Sequence, residues 1–268
     1  MTASLAVVLA RGLGTRMRRE VAEAGLTADQ AAIAARGVKA MIPVGRPFLD
    51  YLLSSLADAG ISRVCLVIGP EHELIRARYQ REVRLTRLAV SFAIQPEPRG
   101  TADAVLAARD QVGDAPFLVV NGDNLYPTRA LEALVALGGP GLIGYRRDAL
   151  VSGSNIEPER IARFALIWTD ADGYLRRIVE KPPPDQLTAD ALVSMNSWRF
   201  GPAIFEACRA IGPSVRGELE LQDAVQLAID RLGERFRVVP FAGPVLDLSQ
   251  RTDVAAVADR VKSIEARL

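Results

Sequence analysis

Three places along this chain carry residue types and spacings that could do phosphate chemistry. The run Gly12-Leu13-Gly14-Thr15-Arg16 follows the apolar stretch at residues 5–10. Two glycines let a backbone approach a phosphate closely and turn its N–H groups toward it. Thr15 adds a hydroxyl donor, and Arg16 adds a planar, permanently charged fork suited to phosphate oxygens. Lys39 leads the segment Lys39-Ala40-Met41-Ile42-Pro43-Val44-Gly45-Arg46-Pro47. Lysine occurs only at 39, 181 and 262 in a chain that otherwise uses arginine, so its choice before an apolar segment is suggestive. Asp123 ends Asn121-Gly122-Asp123, and Asp247 follows Val245-Leu246. Two carboxylates converging from distant segments could hold Mg²⁺ against phosphate oxygens. Taken singly, each group also fits a plainer role: a strand-to-helix turn with a surface arginine, a solvated loop charge, a turn or helix-cap aspartate. The glycine run is not a dinucleotide fingerprint, because Met17 stands where the last glycine of GxGxxG would fall. It is not a P-loop either, because no Gly-Lys-Ser/Thr follows.

The elements that must position these residues alternate through the first half. Residues 5–10 read as a strand buried on both faces. Residues 18–36 are rich in Ala, Glu, Arg and Gln and predict a helix or helical hairpin. Residues 47–59 place Leu49, Leu52, Leu53 and Leu56 at helical spacing and end at Gly60, a C-cap. A strand at 63–68, a helix at 71–82, a strand at 88–94, a helix at 101–111 and a strand at 117–120 follow. This rhythm predicts a three-layer α/β/α fold around a mixed, mostly parallel sheet. Ligands of such sheets bind outside the carboxyl ends of the strands, where the glycine turn and Asp123 both fall. The second half predicts strands at 163–169 and 174–180 joined by the hairpin turn Asp170-Ala171-Asp172-Gly173. A strand at 194–200, helices at 202–210 and 220–232, a strand at 236–241 and a helix at 252–267 complete it. Pro182-Pro183-Pro184 is too short for an interdomain linker, so a single domain over residues 1–268 is expected.

Composition narrows the function classes. The 33 basic residues nearly balance 32 acidic ones, which argues against a nucleic-acid binder. Cys65, inside Val64-Cys65-Leu66-Val67-Ile68, and Cys208 read as small core residues. His72 is the only histidine, so a His-rich zinc site is ruled out and no Ser-His triad is evident. The apolar run at 5–10 is too short to span a bilayer, and the expectation is a cytoplasmic protein with no membrane partner.

Read together and in order, the motifs resemble the sugar-nucleotide pyrophosphorylases of the nucleotidyltransferase superfamily, such as glucose-1-phosphate uridylyl- and thymidylyltransferases. The opening Leu9-Ala10-Arg11-Gly12-Leu13-Gly14-Thr15-Arg16 is similar to that family's L-A-(G/A)-G-x-G-T-R, and residues 39–47 to its lysine-led segment. Gln95-Pro96-Glu97-Pro98-Arg99-Gly100-Thr101-Ala102 looks like its base-reading segment. Gly122-Asp123, Asp170 to Gly173 with Glu180-Lys181-Pro182, Gly217-Glu218-Leu219-Glu220 and Val245-Leu246-Asp247-Leu248-Ser249 continue the match over nearly the whole chain.

The resemblance implies a Rossmann-like, nucleotide-diphospho-sugar transferase fold, with a nucleotide-side half at about 1–125 and a sugar-phosphate-side half at about 126–268. It implies transfer of a nucleotidyl group from a nucleoside triphosphate, UTP or dTTP, to a sugar 1-phosphate, with Mg²⁺ as cofactor. Leu9, Ala10, Gly12, Gly14, Thr15 and Arg16 would cradle the triphosphate, with Arg16 and Lys39 on its phosphates. Gln95 and Gly100 would contact the base, with Thr101 beside them. Asp123 and Asp247 would hold the metal. Glu180 would accept sugar hydroxyls, Lys181 would grip the sugar phosphate, and Asn196 and Glu218 would add sugar contacts. Arg16, Lys39, Asp123 and Lys181 are the residues expected to carry catalysis.

Departures from the pattern fall at Arg11, at Asn196-Ser197-Trp198-Arg199, at Val245 and Ser249, and at residues 18–38. That last stretch could form a lid or the contact of a homo-oligomer. The open alternatives are a GTP:mannose-1-phosphate or CTP-dependent transferase, or a sugar-nucleotide sensor that does no catalysis.

Overall fold

In a computed structural model, the description covers residues 3–19, 25–180 and 182–268, so Lys181 lies outside the described residues. Strand β1 (Leu5–Leu9) leads into the glycine loop and the one-turn helix α1 (Thr15–Arg18). Helix α2 (Ala28–Arg36) begins at a reciprocal capping box between Thr27 and Gln30 and stops at Gly37, which is left-handed. Of the stretch 18–36, expected as a helix or helical hairpin, Ala28–Arg36 is helical as α2, started by the capping box, and α1 ends at Arg18. Residues 20–24, which lie between them, are outside the description.

Lys39 opens a single 3₁₀ turn, Lys39–Met41, ahead of α3 (Phe48–Asp58). Strand β2 (Arg63–Ile68) and α4 (Glu73–Ala77) follow, the helix running on into a π-helical turn at Arg78–Glu82. Then come β3 (Ala89–Ile94), α5 (Thr101–Ala107) and α6 (Arg109–Val112), with β4 (Phe117–Asn121) and the short β5 (Asn124–Leu125). The expected helix at 101–111 is divided at Ala108.

Helix α7 (Thr128–Ala136), strand β6 (Gly141–Arg146) and helices α8 (Arg147–Gly153) and α9 (Pro158–Ile161) have no counterpart among the expectations. The predicted hairpin is present as β7 (Leu166–Thr169) and β8 (Leu175–Val179), its turn tied by Asp170 Oδ1 accepting from the Asp172 and Tyr174 N–H groups. Strand β9 (Leu192–Phe200), helices α10 (Ala203–Ala210) and α11 (Leu221–Leu232), strands β10 (Arg237–Phe241) and β11 (Leu246–Asp247), and α12 (Asp253–Val261) complete the fold. Helix α12 ends six residues short of the expected 267.

The main sheet runs β10-β6-β9-β4-β1-β2-β3, with the β7–β8 hairpin added beside β9. Neighbours along it are parallel except where β9 inserts antiparallel between β4 and β6. The sheet is therefore mixed and mostly parallel.

Alternation along the strands divides the interior into two layers. Ala6 and Val8, with Val64 and Leu66, face α3, α7 and α12. Leu5 and Val7, with Cys65 and Val67, face α5, α10 and α11. This is the three-layer α/β/α arrangement that the uniformly apolar strands imply. The second layer holds an aromatic cluster: Trp198 stacks on Phe200 at 5.5 Å and Phe117 on Phe205 at 5.3 Å. It seats β9 against β4. Among the described residues no helix is long and apolar enough to cross a membrane.

Candidate active site

Three strand ends meet at one edge of the sheet. The backbone N–H groups of Ala10, Gln95 and Gly122 donate to Val67, Ile68 and Leu9 carbonyls, each at 2.9 Å. They carry the loops after β1, β3 and β4 away from a common rim. A cavity of about 480 Å³ opens there. Its walls include Leu9, Ala10, Arg11, Gly12, Gly14, Thr15, Arg16, Lys39, Gln95, Gly100, Thr101, Asp123 and Glu218. Every residue expected in the triphosphate and base sites is thus gathered in one place.

The two loop glycines have different physical reasons. Gly14 has φ 60°, and a Cβ there would fall 2.2 Å from the Gly37 carbonyl oxygen. Fold packing alone demands glycine at that point. Gly12 has no protein atom within 4 Å of where its Cβ would be. Packing does not require it, and its bare backbone faces the cavity.

One part of the wall carries an ion pair. Lys39 Nζ donates to Asp123 Oδ2 at 2.9 Å. Burial alone would lower the Lys39 pKa, but Asp123, through charge and hydrogen bond, raises it above its ordinary value. Asp247 reaches the same place because β11 pairs antiparallel with β5, setting Asp247 opposite Asn124, and because Leu248 N–H donates to the Asp123 carbonyl at 2.9 Å. Asp247 does not line the cavity wall itself. It is buried, with Asn124 Nδ2 and Ser249 Oγ donating to its Oδ2 at 3.0 Å and the Arg160 guanidinium paired with its Oδ1. Burial, then the charge of Asp123, push its carboxyl up to about 6.

Two carboxylates, Asp123 near enough that its charge raises the cost of charging Asp247, suit a hard divalent cation. The described residues contain no group of three or more metal-ligating side chains. Any such cation would therefore take its remaining ligands from elsewhere, as phosphate oxygens and water allow.

Another part of the wall is built from three segments. Gly100 has φ 119°, and a Cβ on it would meet the Leu219 backbone at 2.5 Å. The Leu219 N–H donates to the Arg99 carbonyl at 2.7 Å, and Ala102 N–H to the Leu219 carbonyl at 2.9 Å. This clasp brings Glu218 to the cavity beside Gly100. Gln95 is buried, and its Nε2 donates to the Gly100 carbonyl at 3.1 Å and to Asp103 Oδ2 at 2.7 Å. Arg11 ties the loop to its neighbours: its Nε donates to the Gln95 carbonyl at 3.1 Å and its Nη1 pairs with Glu71 at 2.8 Å.

Glu180 and Asn196 form a separate polar group outside this cavity, joined by Gln222, whose Nε2 donates to both Glu180 Oε1 and Asn196 Oδ1 at 3.1 Å. Asn196 is left-handed, φ 53°, a conformation uncommon for a non-glycine residue.

Comparison with known proteins follows the same line. The nucleotidyl transferase family pattern matches residues 5–240. The chain belongs to the nucleotidyl transferase family. It is similar to the UTP–glucose-1-phosphate uridylyltransferase AglF of Haloferax volcanii, 31% identical over 92% of this chain and 92% of that protein. It is 33% identical to a glucose-1-phosphate thymidylyltransferase of Streptomyces griseus, over 94% of this chain but 64% of that longer protein. The crystal structure of a UDP-glucose pyrophosphorylase complexed with UDP-glucose shares the fold, with a TM-score of 0.74 at 18% identity over 98% of this chain and 100% of that one.

In this nucleotidyl transferase, sequence reasoning missed Arg160, Asn124, Asp103 and Gln222. Each acts by holding another residue, and none stands inside a motif. Asp103 alone had a signal, eight positions after Gln95 on the first turn of a predicted helix.

Proposed function

We propose that this chain transfers a nucleotidyl group from UTP or dTTP to a sugar 1-phosphate, forming an NDP-sugar and pyrophosphate. The observation that carries the reading is the single cavity holding the glycine loop, Arg16, Lys39, the Gln95–Gly100 segment and Asp123 together. Names of the similar proteins favour a pyrimidine nucleotide and glucose 1-phosphate.

The attacking sugar-phosphate oxygen is already anionic, so the reaction asks for no general base. It asks for alignment and for relief of repulsion between two polyanions. The loop N–H groups and Thr15 would orient the triphosphate while Arg16 neutralises it. Lys39 would turn part of its charge from Asp123 to the phosphates. Mg²⁺ held by Asp123 and Asp247 would supply charge compensation at the α-phosphate and the leaving pyrophosphate. Glu180 and Asn196, braced by Gln222, would receive the sugar. Lys181 would bind its phosphate. The half before about residue 125 would then serve the nucleotide and the remainder the sugar phosphate.

The test is pyrophosphate release across five nucleoside triphosphates and several sugar 1-phosphates in the presence of Mg²⁺. Release with UTP or dTTP and a sugar 1-phosphate is expected. No release with any pair overturns the reading in favour of a sensor.

A further inference from the structure

We propose that Asp103 is the positioning residue that sets which base this site accepts, by fixing the way the Gln95 amide faces. The inference rests on the nucleotide site proposed above and deepens it.

The side-chain amide of glutamine is nearly symmetric in shape, so its orientation follows from its partners. Both Gln95 partners can only accept: the Gly100 carbonyl at 3.1 Å and the Asp103 carboxylate at 2.7 Å. The amide must therefore turn its NH₂ toward them, spending both of its hydrogens. Oε1 is left uncommitted among the described residues, on a side chain that lines the cavity.

The amide has little freedom to escape this arrangement. Gln95 is buried, its N–H donates to the Ile68 carbonyl at 2.9 Å, and its own carbonyl accepts from Arg11 at 3.1 Å. Asp103 stands in the first turn of α5, a helix anchored by the buried Ala102 and Val105.

What the cavity then offers a base is a fixed acceptor. Uracil and thymine carry a ring N3–H and can satisfy it. Cytosine presents a bare ring nitrogen at that position and sets one acceptor against another. A buried acceptor left unpaired weakens binding by roughly tenfold or more. Carboxylate at residue 103, the shorter of the two contacts, adds to the Gly100 carbonyl in keeping the amide from turning over to serve cytosine. A neutral amide there could donate as well as accept and would loosen the lock.

The experiment measures equilibrium binding of UTP and CTP with Mg²⁺ by calorimetry, for the unchanged chain and for Asp103→Ala and Asp103→Asn. The unchanged chain is expected to bind UTP more tightly than CTP, with the ratio falling about tenfold or more in Asp103→Ala and by less in Asp103→Asn. A purely structural role for Asp103, as a charge at the start of α5, would weaken both nucleotides together and lower the melting temperature. An unchanged ratio, or an equal loss for both nucleotides, overturns the proposal. So does a preference for CTP in the unchanged chain. Asp103→Asn keeps size and shape, so it carries the test if the alanine variant does not fold. The readout is binding, so it stands apart from turnover: failure to release pyrophosphate would overturn the proposed reaction while leaving the base lock supported by its own ratio.

Discussion

Lys39 stands between two demands. Its ammonium donates to Asp123, and the proposed reaction needs the same charge on a triphosphate. The neighbouring carboxylate raises its pKa above the ordinary lysine value, so its deprotonation should leave no limb in a rate profile at about pH 8–9. A falling alkaline limb at pH 8–9 that vanishes in Lys39→Arg would contradict that placement. Asp123→Ala should abolish pyrophosphate release while leaving the circular dichroism spectrum unchanged, since the Asp123 side chain is partly exposed. Arg11→Ala should act differently. It removes the guanidinium that bridges Glu71 and the Gln95 carbonyl, so the KM for the nucleotide should rise while kcat with saturating nucleotide is largely kept. At this scale Arg16, Lys39 and Asp123 were legible because charge chemistry is written in residue type. The hold of Arg160 on Asp247 was not, because the two are far apart in the chain and meet only across packed elements.

The clasp between Gly100 and Leu219 joins the start of α5 to the loop before α11. Gly100→Ala would force a side chain into a left-handed position 2.5 Å from the Leu219 carbonyl. It should cost roughly 1–3 kcal/mol of stability by urea unfolding, and move Glu218 away from the cavity.

The turn after β2 makes a second element-level case. The Gly69 N–H donates to His72 Nδ1 at 3.2 Å, and burial, with Arg11, Arg18 and Arg76 nearby, outweighs Glu71 and lowers the His72 pKa below 6.5. The unfolded chain then binds the proton more readily than the folded one. Stability from this group is complete above pH 6.5 and is lost as pH falls through the window beneath it. His72 is the only histidine, so a single imidazole resonance followed by NMR should titrate below the free value, and the slope of stability against pH in this window should flatten in His72→Gln. A resonance titrating at or above 6.5 would refute it.

Across the whole molecule, the site exists only when segments far apart in the chain are docked. Lys39 comes from a 3₁₀ turn, Asp123 from the end of β4, and Asp247 from β11, which pairs with β5. A ligand that binds this assembled site and not the unfolded chain must stabilise the entire fold, by about 2.7 kcal/mol at a hundredfold excess over Kd. UTP with Mg²⁺ should therefore raise the melting temperature by several degrees, and Asp123→Ala should remove most of the rise. An equal rise in that variant would place the nucleotide elsewhere.

By itself the sequence determined the layers and the phosphate chemistry. Strands apolar on both faces require helices on both sides, and a glycine loop after such a strand, with Arg16, Lys39 and Asp123, pointed to phosphate chemistry at the strand ends. It left β6 and its flanking helices unread, because Gly141 to Arg146 has glycine at both Gly141 and Gly144 and becomes a strand through pairing with β9 and β10. Only the tertiary structure decided which carboxylate is buried against arginine, which groups the Gln95 amide donates to, and that Glu180 and Asn196 form a second polar group. Those outcomes depend on burial and on hydrogen bonds between residues distant in the chain, and neither is a property of local composition or spacing.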